Sequence, residues 1–329
     1  MATTIGTSYG GDLNRPGYTD EGGVTGIRED LADIISDISP TETPFLTKCG
    51  RQSTSNTYTE WQTAELRAPQ VKGEIEGSDT GTNFQPTERV GNYTLIQKEG
   101  FKVSGTATAL NLAGRQKEYA YQALQAGKAL KRDLEMALLG TQARDPGSTS
   151  KARMLAGVGS WISTNTVGDA TFPTVSDGTG TFAAGAGAVF AQADFDSILQ
   201  AIWEEGGTPD RVYLSADLMS AAVATLEGNN NQRANIMASE EKVVNSMVRY
   251  QTPFGAVTFV PSRMMPAGSV YVVDSSKWKV ATLRGWKQSK LAVTGDSVSG
   301  QIVGEHTLVC LNEKASGHMA TYTAEAAAE

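Results

Sequence analysis

Two alternating runs frame a stretch that cannot fold on its own. Thr57-Tyr58-Thr59-Glu60-Trp61-Gln62 and Tyr93-Thr94-Leu95-Ile96-Gln97 to Phe101-Lys102-Val103 both repeat with the period of two that marks strands. Between them, residues 68–91 turn to Gly, Thr, Pro and charge. The pair predicts a long two-stranded excursion with a polar tip. An isolated two-stranded hairpin is marginal in water, so something must cover it, such as another subunit. These strands contain the apolar side chains Trp61, Leu95, Ile96 and Phe101, the candidates for intersubunit contact.

The rest of the chain is built to pack. Its 329 residues exceed what one core usually holds, so two lobes are expected. With 40% hydrophobic and 19% charged residues, wholesale disorder is excluded, while 35 glycines call for many turns and loops. Twenty-eight basic against 36 acidic residues give a net charge of −8 with no basic block. That balance argues against a duplex-wrapping or membrane-surface protein and leaves nucleic acid an indirect partner at most. Cys49 and Cys310 lie far apart, outside any CxxC or Cys/His cluster, so neither a zinc site nor a disulfide framework is indicated. A reduced, cytosolic origin follows. The first residues lack a basic start followed by an apolar run, and nowhere do about 18 consecutive apolar residues occur, so no export signal or membrane span is expected.

Most of the negative charge sits in the first 50 residues, where Arg15, Arg28 and Lys48 face eight acids. Before Gly26 no apolar period is present. A short amphipathic pattern follows, Ile27, Leu31, Ile34, Ile35 and Ile38, and stops at Ser39-Pro40. We read an extended arm carrying one short helix, then an extended turn at Thr41-Glu42-Thr43-Pro44-Phe45-Leu46. Gly114 to Gly140 predicts the main helix, a spine of nearly 40 Å with Ala120, Leu124, Gly127, Leu130, Leu134 and Leu138 on its apolar face. Its charges, Lys128, Lys131, Arg132, Asp133 and Glu135, read as a solvated face. From Thr164 to Ala191 low charge and abundant Gly, Ala and Thr predict an irregular insertion. A second αβα unit follows: Asp194 caps a helix bearing Phe195, Ile198, Leu199, Ile202 and Trp203, Arg211 to Leu214 is a buried strand, and Ser215 caps a helix ending at Gly228. An exposed loop at Asn229 to Gln232 and a mostly β remainder from Val243 complete the order.

Chemical motifs are weak. Gly178-Thr179-Gly180-Thr181-Phe182-Ala183 fits a phosphate-cradling G-x-G-x-x-A but lacks a preceding buried strand and a following amphipathic helix. Only His306 and His318 could serve a hydrolytic triad, and no nucleophile elbow accompanies them. Glu204-Glu205 and Glu240-Glu241 are adjacent pairs whose side chains do not converge on a helix. The sequon Asn92-Tyr93-Thr94 has no export signal to make it meaningful. No catalytic residue, cofactor or metal is expected. A chain of this size with an acidic arm, an uncovered ribbon and a spine helix reads as an assembly protein rather than an enzyme.

At the C-terminal end the order of elements is distinctive. Gly268-Ser269-Val270-Tyr271-Val272-Val273-Asp274 leads to Ala281-Thr282-Leu283-Arg284, then Leu291-Ala292-Val293-Thr294-Gly295-Asp296. Glu305-His306-Thr307-Leu308 and Asn312-Glu313-Lys314-Ala315-Ser316-Gly317-His318 follow. Together with Ile38-Ser39-Pro40-Thr41-Glu42-Thr43-Pro44-Phe45 and Gly207-Thr208-Pro209-Asp210-Arg211-Val212-Tyr213-Leu214, this resembles one branch of the major capsid proteins of tailed bacteriophages with the HK97-like fold. The likeness spans most of the chain and weakens at 68–91 and in the Gly/Ala insertion.

The resemblance implies an α+β fold with four parts: an N-terminal arm at 1–58, an extended loop at 59–106, a peripheral domain at 107–160 and 284–312 holding the spine helix, and an axial domain at 161–283 and 313–329. It implies a shell of hexamers and pentamers around double-stranded DNA, residence in the virion after synthesis in the bacterial host cytoplasm, and a portal and decoration proteins as partners. Only Met1 to Gly26 precedes the first expected helix, so any scaffold is expected to be a separate protein. No lysine and asparagine match a family crosslinking motif. An encapsulin-like compartment shares the fold and is the alternative. From another class, a cytosolic α+β hydrolase using His306 or His318 is the second alternative.

Overall fold

The computed structural model describes residues 41–79, 81, 84–110, 117–229, 249–293 and 295–323. Residues 1–40 of the arm, with its short amphipathic pattern, the Glu240-Glu241 pair and residues 230–232 of the expected loop lie outside the described residues.

The described chain opens on a short helix, α1 (Pro44–Lys48), where the sequence predicted an extended turn. Pro44 at the first helical position has no N–H to leave unpaired, and Phe45 and Leu46 are buried, so packing draws this segment into a turn of helix. Strands β1 (Gly50–Ser53), β2 (Tyr58–Thr63), β3 (Glu88–Tyr93) and β4 (Leu95–Ser104) follow, then α2 (Gly105–Ala109) and the 22-residue α3 (Glu118–Leu139). At 1.5 Å per residue α3 spans about 33 Å. Its buried stripe is Ala126, Leu130, Leu134 and Leu138, one every four residues. Leu124 is not on it: at 55% exposure it faces outward. A four-residue repeat drifts by about 40° per step around a helix of 3.6 residues per turn, so the face that the core selects leaves Leu124 behind.

After α4 (Val158–Trp161), the expected insertion contributes only two-residue strands, β5 (Thr166–Val167), β6 (Ala170–Thr171), β7 (Ala183–Ala184) and β8 (Ala188–Val189). The second unit is α5 (Gln192–Glu204), β9 (Arg211–Leu214) and α6 (Ala216–Asn229). Asp194 is not the cap of α5: Ala191 holds that position, and the Asp194 carboxylate accepts a 2.8 Å bond from the Tyr322 hydroxyl. The remainder is mostly β, with β10 (Arg249–Thr252), β11 (Gly255–Pro261), β12 (Val270–Val273), β13 (Trp278–Lys290), β14 (Ser297–Cys310), β15 (Gly317–Met319) and β16 (Tyr322–Thr323).

Two sheets organise these elements. A four-stranded sheet runs β1-β13-β14-β4, and a six-stranded sheet runs β10-β11-β9-β12-β15-β5. The larger core lies between α1, α3, α4 and both sheets and is built around Phe45, Leu138, Trp161, Tyr213, Tyr271 and Trp278. A second core joins α5 and α6 to the six-stranded sheet through Phe195, Ile202, Leu214, Leu226 and Val272. A small third cluster, Ala126, Leu130 and Ile302, sits where α3 crosses β14, with Phe101 and Trp286 packed against it.

The strand pairing differs from the sequence expectation in one respect. The run from Leu95 to Val103 does not pair with the run at Tyr58. Instead β2 pairs antiparallel with β3, Tyr58 opposite Tyr93 and Thr63 opposite Glu88. Strand β4 pairs with β14 along its whole length, from Leu95 opposite His306 to Ser104 opposite Ser297. Between the two lies one residue, Thr94, fully buried. The hairpin is therefore real, and its returning strand comes from Glu88-Arg89-Val90-Gly91, inside the stretch read as polar tip. Gly91 earns its place in a strand because a Cβ there would stand 2.7 Å from the Thr59 carbonyl oxygen and 2.8 Å from the Tyr58 ring.

Candidate assembly surface

The hairpin of β2 and β3 leaves the body of the molecule at a densely bonded root. Asn92 donates to the carbonyls of Leu308 (2.9 Å) and Ala156 (3.2 Å) and accepts from the Ala156 N–H (2.9 Å). Thr307 donates to the Tyr93 carbonyl at 2.8 Å, and Thr94 donates to the Glu305 carboxylate at 2.8 Å. Arg153 donates from Nε to the Thr94 carbonyl at 2.7 Å and pairs with Glu305, whose other oxygen takes Arg284 at 2.8 Å. The polar groups of Asn92, Thr94, Thr307 and Glu305 at the root are thus answered, as burial requires, while the buried indole N–H of Trp61 has no partner among the described residues. A glycan on Asn92 is incompatible with its complete burial.

Two further contacts steady the base. Arg144 donates to the Tyr58 hydroxyl and to the Gly91 carbonyl, with its guanidinium 5.5 Å above the Tyr58 ring. Lys314 reaches Glu65, just beyond β2, at 2.6 Å.

The four candidate contact residues are placed differently from one another. Trp61 is half-buried and lies against Trp161, ring centroids 5.4 Å apart; Leu95 is half-buried against the same core. Phe101 is half-buried beside Tyr119, 5.0 Å between centroids. Ile96 is 48% exposed. The structure thus brings Trp61 and Leu95 to one core and Phe101 to the small cluster under α3. The most exposed apolar residues are ones the sequence reading passed over: Leu66, Val71, Ile75 and Phe84, between 83% and 110% exposed, all on the hairpin beyond β2 and before β3. Their signal was present as isolated apolar side chains in a polar stretch, which periodicity does not register.

Glu135 is a further residue that the sequence conceals. Its sequence neighbours place it with the solvated charges of α3, yet it is completely buried. Its carboxylate accepts the backbone N–H groups of Phe45 (2.8 Å) and Leu46 (2.7 Å), supplying from another element the cap that Thr43 does not provide for α1. Burial raises its pKa, opposed by those two bonds. The local sequence signal was its place among Leu134, Leu138 and Leu139, inside the apolar stripe.

The groups a hydrolase would need are not available to a substrate. His318 is fully buried inside a ring of Tyr271, Phe182 and Phe172, centroids 4.7 to 5.2 Å away, with Nε2 3.3 Å from the Ser269 hydroxyl. Burial lowers its pKa to about 3. His306 is buried against Trp286 and touches Thr282 at 3.1 Å; burial, with Arg51 nearby, lowers its pKa to about 4. Gly178 of the glycine motif has φ +78° and backs onto Trp161, and the segment runs into β7 rather than a helix. Both cysteines are buried and free, and among the described residues no three His, Cys, Asp or Glu side chains converge on a metal position. No helix among the described residues is long and apolar enough to cross a membrane.

Comparison with known proteins decides the class. The family described as SU10 major capsid protein matches residues 6–323. The chain belongs to the SU10 major capsid protein family. The major capsid protein of Escherichia phage Phieco32 is 28% identical over 337 residues, covering 91% of this chain and 95% of that one. Among solved structures, the capsid asymmetric unit of Cyanophage A-1(L) superposes with a TM-score of 0.64 at 11% identity, covering 90% and 97% of the two chains. An encapsulin from Synechococcus elongatus PCC 7942 superposes at 0.55 with 9% identity, covering 90% and 94%. The fold is the α+β HK97-like capsid fold, and the protein is a structural capsid component of the phage virion.

Proposed function

We propose that this major capsid protein closes into an icosahedral shell of hexamers and pentamers around double-stranded DNA, without catalysis, after synthesis in the host cytoplasm. In this reading 1–58 form the arm, 59–106 the extended loop, 107–160 and 284–312 the peripheral domain, and 161–283 and 313–329 the axial domain. The single observation that carries it is the hairpin: Leu66, Val71, Ile75 and Phe84 stand almost fully exposed on a projection that the described body does not cover. Exposed apolar groups concentrated on one projection mark a protein contact. Ile96 and the open faces of Trp61, Leu95 and Phe101 extend that contact toward the body. Many such weak contacts act together, because tethering makes each successive one effectively intramolecular. The acidic chain fits an indirect relation to packaged DNA, which it would repel rather than grip. A separate scaffolding protein, a portal and decoration proteins are the partners this assembly calls for.

The test is light scattering and negative-stain imaging of the purified chain from micromolar to millimolar concentration. Closed particles or hexameric and pentameric capsomers are expected, with DNA inside particles taken from infected cells. A chain monomeric under all conditions overturns the reading, and particles filled with protein cargo instead of DNA turn it toward a compartment.

A further inference from the structure

A groove of about 460 Å³ runs between α3 and β4, within the range of pockets that take small ligands or a few side chains. Its lining pairs apolar Phe101, Ala126 and Ala129 with the cations Lys102, Lys128 and Arg132, against one acid, Glu99. Arg132 Nε is buried and has no hydrogen-bond partner among the described residues. Thr41, the first described residue, also lines the groove.

What precedes Thr41 matches that lining. Only Ser39 and Pro40 separate it from Ile38, so Ile38 lies within about 11 Å of Thr41 even on fully extended chain. Residues 27–38 alternate Ile27, Leu31, Ile34, Ile35 and Ile38 with Glu29, Asp30, Asp33 and Asp37, against a single cation, Arg28. Tethering by two residues gives this segment a far higher effective concentration at the groove than any free partner.

We infer that the groove between α3 and β4 is the seat of the chain's own acidic segment 27–38, its aliphatic side chains on Phe101, Ala126 and Ala129 and its carboxylates toward Lys102 and Arg132. The docking belongs to the single subunit and stands whether or not the shell reading holds. It fixes the direction in which the arm leaves the body.

The test places the photocrosslinker p-benzoylphenylalanine at Gln125 and, in a second full-length variant, at exposed Lys102, so that a folding defect at one site does not decide the outcome. Equal parts of isotope-labelled and unlabelled subunit are irradiated before assembly, and crosslinked peptides are mapped by mass spectrometry. Crosslinks to residues 27–38 within one isotope class, with no mixed-class crosslinks to that segment, are expected. Lys102→Glu with Arg132→Glu, read from Gln125, should lower their yield about tenfold, and Asp33→Lys with Asp37→Lys should restore it. Four results overturn the inference: mixed-class crosslinks to 27–38 as frequent as same-class ones, crosslinks to the hairpin at 64–87, no crosslink at either site, or a yield indifferent to charge reversal.

Discussion

Trp61 of the hairpin and Trp161 of α4 meet with ring centroids 5.4 Å apart and planes inclined by 39°. The contact anchors the projection to the larger core, while Trp61 stays only half-buried. Trp61→Ala should therefore do two things. It should cost the isolated subunit about 2 kcal/mol from lost packing and the aromatic pair. It should also lower particle yield further than Ile202→Val, a core change that costs stability without touching the hairpin. Urea unfolding of the subunit, paired with the yield of sedimenting particles, measures both; yield that merely follows stability removes Trp61 from the intersubunit contact.

The hairpin's far end should behave in the opposite way. Val71, Ile75 and Phe84 are at least 83% exposed, so replacing all three with Ser should leave subunit stability within about 0.5 kcal/mol of the parent. Particle yield, read by sedimentation, should collapse. Normal particles from this variant would show that the tip takes no part in the shell.

Glu135 should be needed for α1 to stay attached to α3. Glu135→Ala leaves the N–H groups of Phe45 and Leu46 buried without acceptors, at a cost of about 1–3 kcal/mol for each lost partner. Proteolysis should then cut first between Thr41 and Gly50. Because burial raises the pKa of Glu135, its own contribution to stability falls as pH rises from the unfolded carboxylate value through the folded one. Glu135→Gln should flatten that part of the stability profile, above the unfolded carboxylate range, as seen by thermal unfolding.

His318 sets a dependence of the other sign. Its folded pKa of about 3 lies below the usual 6.5, so the unfolded chain binds the extra proton between those values. Its contribution is complete above about pH 6.5 and is lost as pH falls, by about 1.4 kcal/mol per unit at most. Urea titrations at pH 7, 5.5 and 4.5 should show His318→Gln less acid-sensitive than the parent. Equal sensitivity would mean that His318 is already charged in its aromatic ring of neighbours.

What the sequence made legible, and what it hid, follows from physical period. Helix α5 was readable because Phe195, Ile198, Leu199 and Ile202 repeat at helical spacing and all four are buried. Strand β9 was readable as a short apolar run. The partner of β2 was not, since β4 alternates while Glu88-Arg89-Val90-Gly91 of β3 does not, and β4 is claimed instead by β14, two hundred residues away. Asn92, Glu135 and Glu305 were equally hidden. A buried polar residue is identified by the backbone groups it answers, and those come from distant segments: Leu308 for Asn92, Phe45 for Glu135, Arg153 for Glu305.

The single residue between β3 and β4 gives the hairpin the mechanics of a cantilever. Strand β4 is stitched into a four-stranded sheet while β3 is free of it, so a load applied at the far end arrives as torque about Thr94. What resists it is a cluster of directional bonds from Asn92, Thr94, Arg153 and Thr307. Apolar contacts slide under shear, because they carry no preferred direction, whereas such bonds must break to yield. A partner bound at the tip, as proposed, would therefore pull on β14, and through β14 on the body of the subunit.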